Sequence, residues 1–333
     1  MSILSESNSL ERHKSRKILN KKNYWIAFFL LLLTLFIGGY IYESTMSGLY
    51  VKPLKASSIT INAVKYNYSV ELKGDYTVII DGAAGSSVIN RQALLEKFDG
   101  NARLFFYDRP GYGNTEGETK TPKELAEDLH FMFRKFGWKM KFILVGEEYG
   151  SLVMQEYLNL YPEEVIGAVM INPIGESLGS LELNKYIERR TAPFFSREVL
   201  GTFGITRALN NSGLIDFFDD VNMDSKENKA FYSNLWLSKE HLKAVDTELQ
   251  LTKTLNPLEV KEGLLGNNPF YLITSKKNLS NFPQENYLKY SSDTETIMVS
   301  DSVEDVILEK PEDLASTLNG MIKKIQRLEK LKN

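Results

Sequence analysis

Residues 102–113 read ARLFFYDRPGYG, a short apolar run that ends in a turn rich in glycine and proline. An apolar run of this length, bounded by turn residues, is typical of a strand that is buried on both faces of a parallel sheet. The chain contains further runs of the same kind, which read YTVIIDG (76–82), KFILVG (141–146), VIGAVMI (165–171), FYLIT (270–274) and ETIMVS (295–300). Together they predict a mostly parallel sheet.

Helical patterns separate these predicted strands. Residues 122–136 form one pattern, with Thr121 as its N-cap, residues 151–160 form the next, and Pro311 begins the last. Ahead of the first buried strand, residues 57–72 alternate between apolar and polar side chains, which predicts an antiparallel hairpin. Strands that alternate with helices indicate an α/β fold around a mostly parallel twisted sheet.

The alternation breaks in one long stretch, residues 174–265, which is helical in pattern and rich in aromatic side chains. The stretch is too long for a loop, so it predicts a helical cap inserted into an α/β core made of residues 57–173 and 266–333. We expect the aromatic side chains of the cap to pack its core or to line a ligand pocket; they are Phe194, Phe195, Phe203, Phe217, Phe218 and Trp236.

Residues 24–42, YWIAFFLLLLTLFIGGYIY, contain no charged side chain. At about 1.5 Å per residue a helix of this length spans roughly 28 Å, close to the ~30 Å hydrocarbon core of a bilayer. Aromatic residues at both ends suit the two membrane interfaces. The segment therefore predicts an uncleaved transmembrane anchor. A cleaved signal peptide is the alternative, although such peptides have a shorter apolar stretch and a small-residue cleavage site.

The charges beside the apolar segment predict its orientation. Residues 1–23 carry six Lys or Arg side chains against two Glu, and such a basic flank stays in the cytoplasm. Residues 43–56 would form a linker, and the domain that follows would lie outside. We thus expect a single-pass cell-membrane protein with a cytoplasmic N-terminus and an extracytoplasmic C-terminal domain.

Composition excludes several kinds of chemistry. The chain has no cysteine, which excludes disulfides, thiolate metal sites and a cysteine nucleophile, and it has only three histidines, His13, His130 and His241. The formal net charge of −3 gives no general attraction to nucleic acid. A hydrophobic content of 43% is that of a packed globular protein and not of a disordered chain.

Four short segments occur in a fixed order along the predicted core. They read DGAAGSS (81–87), YDRPGYG (107–113), VGEEYGS (145–151) and LEKPE (308–312). In this order and at this spacing they resemble the α/β-hydrolase superfamily, in its lid-bearing branch of proline-aminopeptidase-like and esterase-like members. The resemblance covers nearly all of residues 57–330. It implies that superfamily's fold, and structural roles in its turns for Asp108, Arg109, Gly111, Gly113, Gly146 and Gly150.

The resemblance also implies a Ser–acid–His triad, and all three of its positions are substituted in this sequence. The nucleophile elbow of the superfamily is G-x-S-x-G, and here Glu148 stands between Gly146 and Gly150 in place of the serine. The acid position after the seventh strand aligns with Asn278. The position of the general-base histidine aligns with Glu304.

One part of the superfamily's catalytic site is still implied by the resemblance. It is an oxyanion-hole-like pair of backbone N–H groups, from Ala83 and Tyr149. Ser151 is expected to face the sheet, and His130 and His241 are expected to have packing roles. Loss of the nucleophile and base costs a serine protease about 10⁶ in turnover, so the serine-hydrolase interpretation fails. The sequence therefore predicts a degenerate hydrolase fold that binds a ligand or a partner.

Other roles remain open for the carboxylate at the elbow. Glu148 could act as a nucleophile or base, as the elbow aspartate does in the epoxide hydrolases and haloalkane dehalogenases that share this fold. If it lies against Glu304, the two carboxylates would share a proton or hold a hard cation such as Ca²⁺. Alternatively, Lys276 or Lys277 would neutralise Glu148 as a structural ion pair.

The sequence predicts three kinds of partner. The membrane is bound through residues 24–42, a small hydrophobic or peptide ligand would lie under the cap, and a protein partner would use the cap surface. Neither the composition nor the resemblance implies a cofactor or a metal.

Overall fold

A single eight-stranded sheet forms the centre of the computed structural model, which describes residues 21–49, 57–215, 217–218, 226–303 and 305–332. The strands are β1 Ser57–Ile61, β2 Val64–Glu71, β3 Tyr76–Asp81, β4 Ala102–Tyr107, β5 Phe142–Glu147, β6 Val165–Ile171, β7 Phe270–Thr274 and β8 Thr294–Met298. Their order in the sheet is β1-β2-β4-β3-β5-β6-β7-β8. The pairs β1–β2 and β2–β4 are antiparallel and all the others are parallel, which confirms both the predicted hairpin and the predicted sheet.

Helices cover both faces of this sheet, as the α/β prediction requires. Those of the core are α2 Arg91–Lys97, α3 Pro122–Phe136, α4 Tyr149–Leu160, α10 Lys276–Asn281, α11 Val306–Glu309 and α12 Pro311–Lys332. Side chains of α3 and α4 pack on one face, and those of α2 and α12 pack on the other. Neighbouring strand residues alternate between the two cores; in β3, Ile79 faces one and Ile80 the other.

Local sequence explains where these helices begin and end. In α3 the Thr121 hydroxyl caps the N–H of Glu124 while the Glu124 side chain accepts from the N–H of Thr121, and Gly137 closes the helix in the left-handed region. The predicted span of 122–136 is confirmed. Helix α4 begins two residues earlier than predicted, at Tyr149, because the turn residue Glu148 already serves as its N-cap.

The residues between β6 and β7 fold as helices above the carboxyl ends of the strands. In the described part of this segment they are α5 Leu181–Thr191, α6 Phe194–Thr202, α7 Ile205–Asn211, α8 Lys226–Leu237 and α9 Lys239–Thr252. We call these helices the cap. Of the aromatic residues expected to be buried there or to line a pocket, Phe194 and Phe218 are buried, whereas Phe195 is 77% exposed, so that expectation is wrong for Phe195.

The N-terminal apolar residues form one long helix, α1 Lys21–Leu49. Its stretch Lys22–Ser47 is long and apolar enough to cross a membrane, with a mean hydropathy of 2.1, and no part of its most apolar window is buried. From Phe36 onward, α1 packs against α6 and α7 of the cap. The basic tail before residue 21 lies outside the described residues.

Candidate functional site

The candidate site is the tight turn between β5 and α4. Glu148 occupies this turn with φ 49° and ψ −107°, a backbone conformation that non-glycine residues rarely adopt. Such a residue costs on the order of 1–3 kcal/mol and persists only where its surroundings impose it. They do so here, because a Cβ on Gly150 would collide with the backbone of Asp81, and one on Gly146 would lie 2.7 Å from the Gly150 carbonyl oxygen.

The Glu148 side chain is 10% exposed and is enclosed by the cap. Its Oε1 forms an ion pair with Nη1 of Arg190 and accepts a 3.0 Å hydrogen bond from the Tyr186 hydroxyl. Its Oε2 accepts from the backbone N–H of Ala84 at 3.2 Å. Arg190 completes the contact by donating from Nη2 to the Ala84 carbonyl at 2.7 Å. We call this set of contacts the elbow latch.

The partner of Glu148 differs from the one that the sequence suggested. Lys276 and Lys277 are exposed on α10, and the cation that neutralises Glu148 is Arg190 from cap helix α5. Tyr186 and Arg190 are four residues apart on α5 and therefore share a face. Burial and the neighbouring Glu148 carboxylate raise the pKa of Tyr186, so its phenol stays protonated and donates. That i, i+4 spacing is the only sequence signal for this pair.

The loop after β3 provides the other wall of the site. The amide that meets the elbow carboxylate is that of Ala84, one residue beyond the Ala83 amide that the resemblance implied. The carbonyls of Gly82 and Ala83 each accept a 3.0 Å hydrogen bond from Arg109. Tyr149 begins α4 with its ring buried, and its hydroxyl donates to the carbonyl of Lys120 at 3.3 Å.

Arg109 links this loop to the cap through buried charges. Its guanidinium pairs with Asp81 at the end of β3 and makes a two-point contact with Glu248 of α9, at 2.7 and 3.1 Å. The Tyr112 hydroxyl also donates to Glu248. Burial raises the pKa of both carboxyls, and Arg109 opposes that rise. Sequence reasoning found Arg109 through the turn after β4 but gave no hint of Glu248.

Side chains of the cap fill the cleft above the strands in this conformation. The Trp236 ring packs so closely on the loop that any Cβ on Gly85 would collide with it. Two cavities lie beside the site, one of about 20 Å³ at Asp81 and Ser86 and one of about 10 Å³ at Trp236 and Thr206. Each is about the size needed for one water molecule. A larger hollow of about 360 Å³ lies elsewhere, at the surface beside Phe131.

The two other triad positions are not brought to Glu148 by any described contact. Asn278 is the third residue of α10, half-buried, with its N–H donating to the Ser275 hydroxyl at 3.1 Å. Glu304 lies outside the described residues. Ser151 is fully buried, and its hydroxyl donates to the carbonyl of Glu148.

A second carboxylate, Glu147, was missed by sequence reasoning. It ends β5, is fully buried, and accepts from the N–H groups of Val306 at 2.6 Å and Ile307 at 3.4 Å. Burial raises the pKa of Glu147 well above its ordinary value, and the nearby Asp305 raises it further. The adjacent glutamates at 147 and 148 were visible in the sequence, but which of them points into the fold depends on the turn.

Both histidines of the core and cap pack against aromatic rings. His130 stacks on Tyr161 with ring centroids 3.9 Å apart and lies 3.1 Å from Glu164. His241 is buried between Tyr112 and Trp236, each ring centroid 5.0 Å away. Burial, with a further contribution from Arg109, lowers the pKa of His241 to about 3. Throughout the described ranges, there is no group of three or more His, Asp or Glu side chains placed to hold a metal ion.

Comparisons with known proteins, in sequence and in structure, indicate the same fold. The sequence model of the family described as alpha/beta hydrolase fold matches residues 78–209. MGS-M2, an alpha/beta hydrolase enzyme from a Medee basin deep-sea metagenome library, superposes with a TM-score of 0.62 at 16% identity, over 80% of this chain and 97% of that one. Among curated proteins, none matches the chain in sequence.

Two further solved structures are similar over nearly their whole length. The epoxide hydrolase CorEH without ligand has a TM-score of 0.60 and 13% identity, covering 81% of this chain and 99% of its own. A thermophilic esterase from Thermogutta terrifontis, with malate bound, has a TM-score of 0.58 and 14% identity, covering 82% and 99%. At these identities the likeness is one of fold.

Proposed function

Because this chain has the α/β-hydrolase fold, we propose that it is a membrane-anchored, extracytoplasmic protein of that fold that has lost catalysis and acts by binding a ligand or a partner. The observation that carries the proposal is the elbow latch. The side chain at the nucleophile position is a carboxylate held by a cap arginine, a tyrosine hydroxyl and a backbone amide.

The contacts of Glu148 work against a catalytic role. A nucleophile or base must be free to approach a substrate atom, with a nearby group to accept or orient its proton. Here the guanidinium of Arg190 occupies the space above Glu148 and neutralises its charge. A covalent or acid–base step at this carboxylate would first require the cap arginine to leave.

The same contacts suggest which ligand the site would admit. A ligand that replaces Arg190 at Glu148 gains most if it brings its own positive charge to the carboxylate and to the Ala84 carbonyl. A peptide with a basic side chain or a free amino terminus has that chemistry. Trp236, which covers Gly85, would supply the apolar surface of the opened site.

Retention of α1 as an anchor is supported by the way its last turns are held. Glu43 makes a two-point ion pair with Arg207 of the cap, and Arg207 is 1% exposed. Cleavage after the apolar segment would remove Glu43 and leave a buried guanidinium without its carboxylate, which is costly. The six basic residues upstream support a cytoplasmic N-terminus.

A second candidate function is hydrolysis with Glu148 as a carboxylate nucleophile or base. Two observations favour it: the elbow keeps a strained backbone conformation, and it has an amide hydrogen bond at Ala84, both of which serve a reacting group. Under this alternative the latched state is a resting state, and the reaction begins when Arg190 withdraws.

Turnover separates the two functions. The full chain, in detergent, is assayed against aryl esters, aminoacyl anilides and epoxides, beside Glu148→Gln and Arg190→Met. We expect no turnover in the wild type above that of Glu148→Gln, and none gained in Arg190→Met. Turnover that requires Glu148, or that rises several-fold when Arg190 is removed, would establish the hydrolase instead. Thermal stabilisation by basic but not by matched acidic peptides would support the binding function.

A further inference from the structure

One surface of the cap exposes an unusual number of large apolar side chains. Phe195 and Leu214 are 77% and 76% exposed, and four neighbours along α6, α7 and the segment after it are also exposed. We call this set the apolar cap face; its members are Phe195, Val199, Leu200, Ile205, Leu214 and Ile215. Since α6 packs against α7, these residues lie on neighbouring elements. Apolar surface exposed in this way is typical of an interaction site.

The apolar helix α1 packs against the same two cap helices. The Phe36 ring lies 4.6 Å from that of Phe203, and the Tyr42 hydroxyl accepts a 3.2 Å hydrogen bond from Asn211 of α7. At Gly39 the backbone of α1 touches the carbonyl of Phe203, so closely that any Cβ on residue 39 would collide with it. The helix that is able to cross a membrane therefore packs beside the two helices that carry the apolar cap face.

A buried ion pair fixes α1 against the cap. Arg207 donates to the two carboxylate oxygens of Glu43 at 2.7 and 2.6 Å, and its remaining terminal nitrogen contacts Asn234 of α8. A two-point Arg–carboxylate contact has a defined orientation as well as a favourable energy. It sets which side of α1 faces α6 and α7, and so determines on which side of the anchor the apolar cap face lies.

The contacts along α1 also determine how deep α6 and α7 would lie relative to a bilayer that α1 spans. Phe36 precedes Glu43 by seven residues, which is about 10 Å along a helix. The turn at Phe203 thus lies beside the last ~10 Å of the apolar segment, which matches the depth of about 5–10 Å to which interfacial helices insert their apolar faces. If α1 spans the bilayer, its contacts carry α6 and α7 to the boundary between headgroups and acyl chains.

We infer that the cap docks on the outer surface of the bilayer that α1 spans, with the apolar cap face inserted at the boundary between headgroups and acyl chains. This inference rests on the proposed anchoring by α1. The elbow latch lies close to this surface along the chain, since Arg190 precedes Phe195 by five residues.

Because the chain has no cysteine, a label attached to an introduced cysteine reports on that position alone. Single variants Phe195→Cys and Leu214→Cys report on the apolar cap face, and both positions are exposed enough to accept a label. Leu31→Cys reports on α1. Lys139→Cys, exposed in the turn before β5, is the matched control on the core. Each full-length variant carries an environment-sensitive fluorophore in vesicles of phosphatidylcholine and phosphatidylglycerol.

Quenching by doxyl-labelled lipid is compared with quenching by aqueous iodide. We expect labels at 31, 195 and 214 to show blue-shifted emission and several-fold stronger lipid quenching than the label at 139. Lipid quenching at 31 alone would overturn cap docking and leave the anchor intact. Labels at 195 and 214 that are shielded from both quenchers would assign the face to a second copy or a protein. Iodide quenching at 31 would overturn the anchor itself and the docking with it.

Discussion

The cap is tied down by two Arg–Glu pairs that look alike and differ in their surroundings. Arg207 holds Glu43 of α1, and its side chain is almost fully buried. Arg190 holds Glu148 of the core, with a quarter of its side chain exposed and a strained residue as its partner. We call the first pair, Glu43–Arg207, the joint, because its burial makes separation of the two charges costly. We call the second pair, Glu148–Arg190, the catch, because water can solvate the exposed part of the Arg190 guanidinium when the two charges separate.

The largest effect is expected at the anchor joint. Arg207→Met should lower the free energy of unfolding of the cap by about 3–5 kcal/mol, because Glu43 is left as an uncompensated, largely buried charge. The matched variant at the other pair, Arg190→Met, should cost markedly less, because the Glu148 carboxylate keeps its hydrogen bonds from the Tyr186 hydroxyl and the Ala84 amide. Thermal unfolding of the full chain in vesicles measures both. Equal losses for the two variants would contradict the distinction between joint and catch.

A double variant tests whether the joint stabilises the cap through its charges. Replacing Glu43 and Arg207 together by Leu and Met should recover much of the stability lost in Arg207→Met, since an apolar pair leaves no buried charge. If the double variant is as unstable as the single one, the joint contributes through something other than its charges.

The next largest effect is expected at the helix crossing beside the joint. Gly39→Ala should destabilise the contact of α1 with the cap by about 1–3 kcal/mol, because the new methyl group has no room against Phe203. Gly38→Ala is the matched control, since nothing lies within 4 Å of a Cβ there. Hydrogen exchange of the α7 amides should rise only in Gly39→Ala. Equal exchange in the two variants would remove Gly39 from the joint.

Substitution of Glu148 in the catch should lower the free energy of unfolding by less, and by an amount that depends on the new residue. Glu148→Gln should cost about 1–2 kcal/mol, because it breaks a partly exposed charge-assisted contact. Glu148→Ala and Glu148→Gly both lose every contact of the carboxylate, but only glycine relieves the positive φ, which returns about 1 kcal/mol. Glu148→Gly should therefore be more stable than Glu148→Ala in urea unfolding. The reverse order would show that the turn holds no strain.

The last effect concerns acid, and it tests the interior of the cap and not the two Arg–Glu pairs. The pKa of His241 is about 3 in the folded chain against an ordinary 6.5, so its neutral form stabilises the fold above pH 6.5. That contribution is lost as the pH falls from 6.5 towards 3, at up to about 1.4 kcal/mol per pH unit. His241→Phe should remove this part of the acid sensitivity.

The measurement is the free energy of unfolding of wild type and His241→Phe at pH 7 and pH 5. The difference between the two proteins should shift in favour of His241→Phe at the lower pH. His13→Phe, in the basic tail, is the control and should follow the wild type. A pH-independent difference would mean that His241 is reached by water or finds a hydrogen-bond partner when protonated.

Sequence alone predicted the sheet because its strands are continuous apolar runs bounded by turns. The turn at Gly146–Gly150 was predicted through the resemblance to the superfamily's elbow, and the structure shows why glycine is needed there, because a Cβ on either residue would meet backbone. It could not predict Arg190 or Glu248. Arg190 lies 42 residues from Glu148, and Glu248 lies 139 residues from Arg109, on helices whose docking depends on the whole fold. Phe195 was misjudged for a related reason, since helical spacing shows which side chains share a face but not what covers that face.

The conformation of the β5–α4 turn also has an evolutionary consequence. The turn is strained at residue 148 with a glutamate in it, and the glycines on either side pack against backbone. Any residue at this position, a nucleophile included, would meet the same backbone geometry. On the proposed binding function, few side-chain substitutions therefore separate binding from catalysis on this scaffold.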